Sequence, residues 1–163
     1  MMNRARLLTL VAVVGASALT PLGTAHAKKG GAKMLLQDLK AQGVEAHEAS
    51  AVSTAACHAL AQYKKYDVLC GDDLRSMMQF GALSASFDGC SDETCYAGMG
   101  KALDARYVVS GKVTKLGKLY VLTLSMFDTK SNKPAGRAEI KAETLEQLHL
   151  DTKEAVSALL TKR

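Results

Sequence analysis

From Ala105 to Asp128 the chain alternates its side chains at a period of two on both sides of a Leu116-Gly117-Lys118 turn. Tyr107, Val109, Gly111 and Val113 share one face of the first segment, Ala105 to Thr114. Tyr120, Leu122, Leu124 and Met126 share one face of the second, Leu119 to Asp128, with Val121, Thr123 and Ser125 on the other. A helix, repeating every 3.6 residues or so, cannot gather these residues on one side. The pair therefore reads as an antiparallel hairpin with one buried face, and the rest of the chain must supply its cover.

Downstream, a polar turn from Asp128 to Pro134 leads into a further strand, Ala135 to Ala142, whose Arg137, Glu139 and Lys141 face water as an edge strand requires. Thr144 to Lys162 then carries Leu145, Leu148, Thr152, Val156, Leu159 and Leu160 at helical spacing, with acids near its start and Lys162-Arg163 at its end. This amphipathic helix is the expected cover for the hairpin.

Upstream, Cys90 to Leu103 reads as a helix with Ser91 as its N-cap. That cap puts Cys90 and Cys95 at the two positions a hydrophobic staple brings together, so a disulfide there would fix the entry of the chain. Tyr96, Met99 and Leu103 form its inner face, and Gly98 and Gly100 mark a close approach to the sheet. Gly98-Met99-Gly100-Lys101 is not a phosphate loop, because Cys95 stands where the first Walker glycine belongs and Ala102 follows the lysine.

Earlier still, Met34 to Leu39 reads as a first strand ending at a Gly43 turn, and Glu45 to Tyr63 as an Ala-rich helix with Ala49, Val52, Ala56, Leu60 and Tyr63 in phase. Tyr66 to Cys70 is a second strand, which makes a right-handed parallel unit with the first. Gly71-Asp72-Asp73 opens another helix, with Leu74, Met77 and Met78 inward. Adjacent carboxylates at a helix start diverge, so they read as capping groups and not as an acid–base pair or cation site. Gly81 to Gly89 is a loop around Phe87. The order is βαβααβββα: an α/β (α+β) fold, a single mixed sheet of about five strands covered by three to four helices.

The amino terminus has a different purpose. Arg4 and Arg6 precede an uncharged apolar run from Leu7 to Thr20, and Ala25-His26-Ala27 follows as a small-x-small signal. This is the pattern of a secretory signal peptide, and the run is short of the roughly 20 residues a membrane span needs. Residues 1–27 are expected to be cleaved off after Ala27, with Ala25 and Ala27 as the recognised small residues, leaving no stable membrane span. Residues 28–32 read as a flexible leader and 33–163 as a single α/β domain. Cleavage removes two arginines and no acid, so the formal charge of +5 falls to +3. With no basic stripe interleaved with aromatics, nucleic acid is not an expected partner.

All four cysteines, Cys57, Cys70, Cys90 and Cys95, follow the cleavage point. An even count in an exported chain implies two disulfides. The pairing Cys57 to Cys70 and Cys90 to Cys95 joins neighbours in sequence and in the expected fold. A metal site drawn from Cys57, His58, Cys70, Cys90 and Cys95 is the alternative, but it lacks paired short ligand motifs. A hydrolase using His58 or His149 with a serine and an aspartate is another, and neither histidine has a nucleophile motif such as Gly-x-Ser-x-Gly nearby. No cofactor is expected.

Tyr66-Asp67-Val68-Leu69 followed by Asp72-Asp73-Leu74, the Cys90 and Cys95 pair, Ala102 to Val113, and Leu119 to Leu124 together resemble a known small α/β domain. It is shared by the amino-terminal part of the Tol-Pal protein TolB, the curli secretion protein CsgG and the lipoprotein activators of penicillin-binding proteins. The resemblance spans Lys33 to Leu160. It implies that fold, a periplasmic or secreted cell-envelope setting, and a non-enzymatic role in contacting another envelope protein. A lipidated cysteine, membrane-inserting hairpins and a following β-propeller do not carry over to these residues.

Overall fold

The hairpin closes as its alternation requires. In the computed structural model, which describes residues 30–79 and 92–161, Tyr107–Leu116 and Leu119–Asp128 pair antiparallel from Tyr107 opposite Asp128 to Leu116 opposite Leu119. Gly117 takes φ +60 at the tip, a conformation that costs glycine little.

Around this hairpin lies a six-stranded mixed sheet. Its strands are β1 (Ala32–Leu36), β2 (Lys40–Gln42), β3 (Tyr66–Cys70), β4 (Tyr107–Leu116), β5 (Leu119–Asp128) and β6 (Lys133–Ala142). The order across the sheet is β3-β1-β4-β5-β6, with β2 continuing beside β4. β1 is parallel to β3 and β4; β5 and β6 are antiparallel to their neighbours. The helices are α1 (Ala46–Ala61), α2 (Gly71–Gln79), α3 (Glu93–Ala102) and α4 (Leu145–Thr161).

The single mixed sheet of about five strands is borne out, with the short β2 added to it, and the first strand ends at Leu36 where Leu39 was expected. Leu36 pairs with Val109 and Lys40 with Lys112, so one surplus residue lies between β1 and β2. The reason is packing. Leu39 turns into the same core as Leu36, three positions away, and a regular strand cannot place two such residues on one face. Leu39 occupies the space over Gly111, where an added Cβ would lie 2.9 Å from its Cδ2 and 2.3 Å from the Thr123 carbonyl oxygen.

The main core fills the face covered by α1 and α4. It includes Met34, Leu36, Val52, Leu60, Val109, Leu122, Leu124, Met126, Leu148 and Leu159. α4 is the predicted cover, with Leu148, Thr152, Val156, Leu159 and Leu160 buried. Its start is capped by Thr144, whose Oγ1 accepts from the Gln147 N–H at 3.1 Å. A smaller core on the other face joins Leu35 and Val108 to Leu74, Met99, Leu103 and Ala105.

α3 begins one residue later than expected. Asp92, not Ser91, is the N-cap, accepting from the Cys95 N–H at 2.9 Å; a carboxylate both bonds the free N–H and suits the positive end of the helix dipole. Of the two glycines expected to meet the sheet, Gly100 makes a close approach, but to the flanks of the strands: its Cβ would meet the Thr129 methyl, just past β5, and the Ala105 carbonyl, just before β4. Gly98 is exposed. The expected loop from Gly81 to Gly89 lies outside the described residues.

Candidate functional site

The two faces of the sheet differ in how much is covered. α1 and α4 close one face, while among the described residues α2 and α3 cover the side of β1 and β3, the start of β4 and the end of β5 on the other. The remaining half presents cross-strand rows: Ser110, Ser125 and Arg137; Lys112, Thr123 and Glu139; Thr114, Val121 and Lys141. β2 extends the second row with Lys40 and the third with Gln42. Apart from Val121, every one of these side chains is half-exposed or exposed.

Two recesses mark this half. One, of about 590 Å³, runs between the start of α3 and the strands, lined by Asp92, Tyr96, Ser110, Ser125, Phe127 and Arg137. Tyr96 forms its wall by packing against Phe127, ring centroids 6.1 Å apart. The other, of about 350 Å³, shares Tyr96, Ser110, Ser125 and Arg137 and adds Asp38, Lys112 and Thr123. Arg137 Nε donates to Ser125 Oγ at 3.3 Å, and Thr114 Oγ1 to Gln42 Oε1 at 3.2 Å. Hydroxyls, the four cations Lys40, Lys112, Arg137 and Lys141 and nearby carboxylates spread over these strands can form hydrogen bonds and ion pairs with an opposing surface. Among the described residues, no histidine or cysteine lines either recess.

The predicted sulfur pair sits elsewhere. Cys57 on α1 and Cys70 at the end of β3 form a disulfide, so neither is available as a metal ligand. Cys95 is also disulfide-bonded, and its expected partner, Cys90, lies outside the described residues. Among the described residues no group of three or more His, Cys, Asp and Glu side chains could hold a metal ion.

His58 lines a recess of about 320 Å³ with Ser50, Ser53, Thr54, Asp38 and Arg75. Its neighbours are engaged elsewhere. Thr54 Oγ1 donates to the Ser50 carbonyl at 3.1 Å, Ser53 Oγ accepts from the Leu39 N–H at 3.4 Å, and Asp38 pairs with Arg75. His149 is exposed on α4, on a different element from His58. The structure does not bring the two histidines together.

At the far end of α3, Lys33, Lys101, Arg106 and Lys130 surround a recess of about 520 Å³. This is a structural joint. Lys33 Nζ donates to the Leu103 carbonyl at 3.0 Å, Thr129 Oγ1 to the Ala105 carbonyl at 2.7 Å, and Arg106 Nη2 to Asp128 Oδ2 at 3.2 Å. The negative end of the α3 dipole points here, which disfavours a phosphate. Burial alone would raise the Asp128 pKa; N–H donation from Ser131 and Lys130 and the Arg106 guanidinium outweigh it and hold the carboxyl below its ordinary value. Its hydrogen bond to Asp128 raises the Arg106 pKa in turn.

Sequence reading found Thr123, Ser125 and Arg137 as water-facing residues and missed their grouping with Ser110, Lys112 and Tyr96. The available signal was that polar positions on three successive strands had no helix left to cover them.

These features define a class: a small α/β domain with a mixed sheet that, among the described residues, is closed on one face and half open on the other. No protein-family model matches the chain, and no curated protein is similar to it in sequence. Solved structures are similar. The LpoB C-terminal domain from Salmonella enterica superposes with a TM-score of 0.55 at 17% identity, over 71% of this chain and 84% of that one. The PelC dodecamer from Paraburkholderia phytofirmans gives 0.51 at 13%, over 81% and 86%. TolB from Acinetobacter baumannii gives 0.50 at 11%, over 80% of this chain and 28% of that one. The fold implied by the resemblance at Tyr66 to Leu124 is therefore the fold observed, and at these identities the likeness concerns the fold.

Proposed function

We propose that this chain is an exported, non-enzymatic accessory module of the cell envelope that binds another envelope protein through the open half of its sheet. The observation that carries this reading is the pair of uncovered rows, Ser110–Ser125–Arg137 and Lys112–Thr123–Glu139, beside the Tyr96 groove. Mixed charge and hydroxyls on a preformed, rigid surface suit reversible protein contact better than nucleic acid, which favours one sign of charge.

Residues 1–27 serve as the export signal, cleaved after Ala27, and a short leader then precedes the working domain, which takes in Ala32 as the first residue of β1. The Cys57–Cys70 bond suits an oxidising compartment, and Cys90–Cys95 is the second bond of this scheme. Among the described residues no helix is long and apolar enough to cross a membrane.

A photo-crosslinking residue placed at Thr123 is expected to capture one defined envelope protein in living cells. The same residue at exposed Ser157 on α4 is expected to capture none. Lys112→Glu with Arg137→Glu should abolish the Thr123 adduct without shifting the melting temperature. Equal capture at both sites, or an adduct indifferent to the charge reversals, refutes the reading.

A further inference from the structure

The outer edge of β6 poses a separate question. β6 pairs with β5 on one side, and among the described residues no strand pairs with the other. Its solvent face carries Arg137, Glu139 and Lys141, with Glu143 just past its end. Charge on an edge strand ordinarily prevents pairing. Here the sign alternates at a period of two, which blocks some registers and favours others.

For an antiparallel pair of identical strands the dyad falls on one residue. A dyad on Glu139 or Lys141 sets that charge against its own copy and like against like throughout. A dyad on Ile140 sets Glu139 against the partner's Lys141 and Arg137 against the partner's Glu143, four unlike pairs across the seam. A dyad on Ala138 also pairs unlike charges, but it draws in Pro134, which has no N–H, and the register shift where Gly136 faces Met126 and Pro134 faces Phe127. The Ile140 register avoids both, and only its outer pairs reach one residue past the strand, to Glu143. On the opposite face it brings Ile140 against its copy and Ala138 against the partner's Ala142.

We infer that β6 is a self-recognition edge, where two copies of this chain join antiparallel about Ile140 into one continuous sheet. The Glu139–Lys141 contact within a strand, 3.3 Å and half-exposed on both sides, exchanges for its equivalent across the seam. A seam between two edges is small, so the dimer is weak and salt-sensitive. It places the two open half-faces side by side. The inference does not depend on what those faces bind.

Sedimentation of the full exported chain over a wide concentration range tests it. Wild type is expected to dimerise reversibly, more weakly at high salt. Lys141→Glu turns two unlike pairs into like ones and should raise the dimer Kd at least about tenfold. Glu139→Lys combined with Lys141→Glu restores unlike pairs only in the Ile140 register, and should return the Kd to within about threefold of wild type. Ile140→Cys should cross-link to its own copy under oxidation, and Ala138→Cys should not. A chain that stays monomeric up to about 1 mM overturns the inference, leaving the edge to a strand of another protein. So does a dimer that the single charge reversal leaves intact or that the double swap fails to rescue. Absence of any Thr123 adduct in the otherwise unaltered chain, with the dimer intact, would count against the proposed binding face alone.

Discussion

Removing the Cys57–Cys70 bond measures how far the first parallel unit depends on its cross-link. The bond ties α1 to the last residue of β3, at the rim of the main core, with both sulfurs partly buried. The perturbation is Cys57→Ala with Cys70→Ala, which avoids leaving a free thiol. The cysteines are 13 apart in sequence, and closing a loop of that size lowers the entropy of the unfolded chain by an amount worth about 3 kcal/mol. Lost sulfur packing adds about 1 kcal/mol or less. For a domain of this size a loss of about 3 kcal/mol lowers Tm by roughly 10 °C. Thermal and urea melts of the oxidised proteins distinguish the two contributions. If the bond acts on the unfolded state, the variant unfolds to a more expanded chain and its m-value rises; if it acts through native packing, m is unchanged. A double variant melting within about 2 °C of wild type with the same m-value would refute the loop argument.

Four other outcomes are expected. Gly111→Ala drives a Cβ to 2.3 Å from the Thr123 carbonyl in a central strand that cannot retreat, and should cost about 2–3 kcal/mol in a urea melt. Asp128→Asn should destabilise by about 1–2 kcal/mol at neutral pH. Because the folded Asp128 carboxyl lies below its ordinary value, its contribution is complete above the unfolded pKa and is lost as pH falls through the folded one, so the two proteins should converge in acid. Thr152→Val should change stability by less than about 1 kcal/mol, because the Leu148 carbonyl that Thr152 bonds at 2.9 Å lies within α4, where a backbone N–H also serves it. Peptide mapping of unreduced exported protein should recover a Cys90–Cys95 linkage, whose small ring contributes about 2 kcal/mol.

The hairpin and α4 were legible because their patterns are long and each has one cause, burial of one face. Ser125 or Leu148 could be assigned to a side from spacing alone. The β1 to β2 passage was not legible, because Leu39 is buried by a vacancy over Gly111 that only the folded sheet creates. The α3 cap was misplaced by one residue. Ser91 and Asp92 are both good caps in isolation, and spacing alone does not choose between them. The open rows were half legible: the sequence tells which residues leave the core, but not that α2 and α3 stop short of them.

That shortfall follows from the contact at Gly100. The missing side chain lets the end of α3 close onto Thr129 and Ala105, at the β4 start, and Met99 and Leu103 then seal Leu35 and Val108. A helix anchored there lies over β1 and β4 and reaches β5 near its end, where Tyr96 packs on Phe127. The same strands consequently do two separable jobs. Leu122, Leu124 and Met126 of β5 are fixed by packing against α1 and α4, while Thr123 and Ser125, alternating with them, are free to vary in chemistry without disturbing that packing. Substitutions at the even positions of β5 should therefore appear in melting experiments, and substitutions at Thr123 and Ser125 in binding. If a charge placed at Ser125 destabilised the domain as much as one at Leu124, that division would fail, and the half-sheet would have to be covered in solution rather than open.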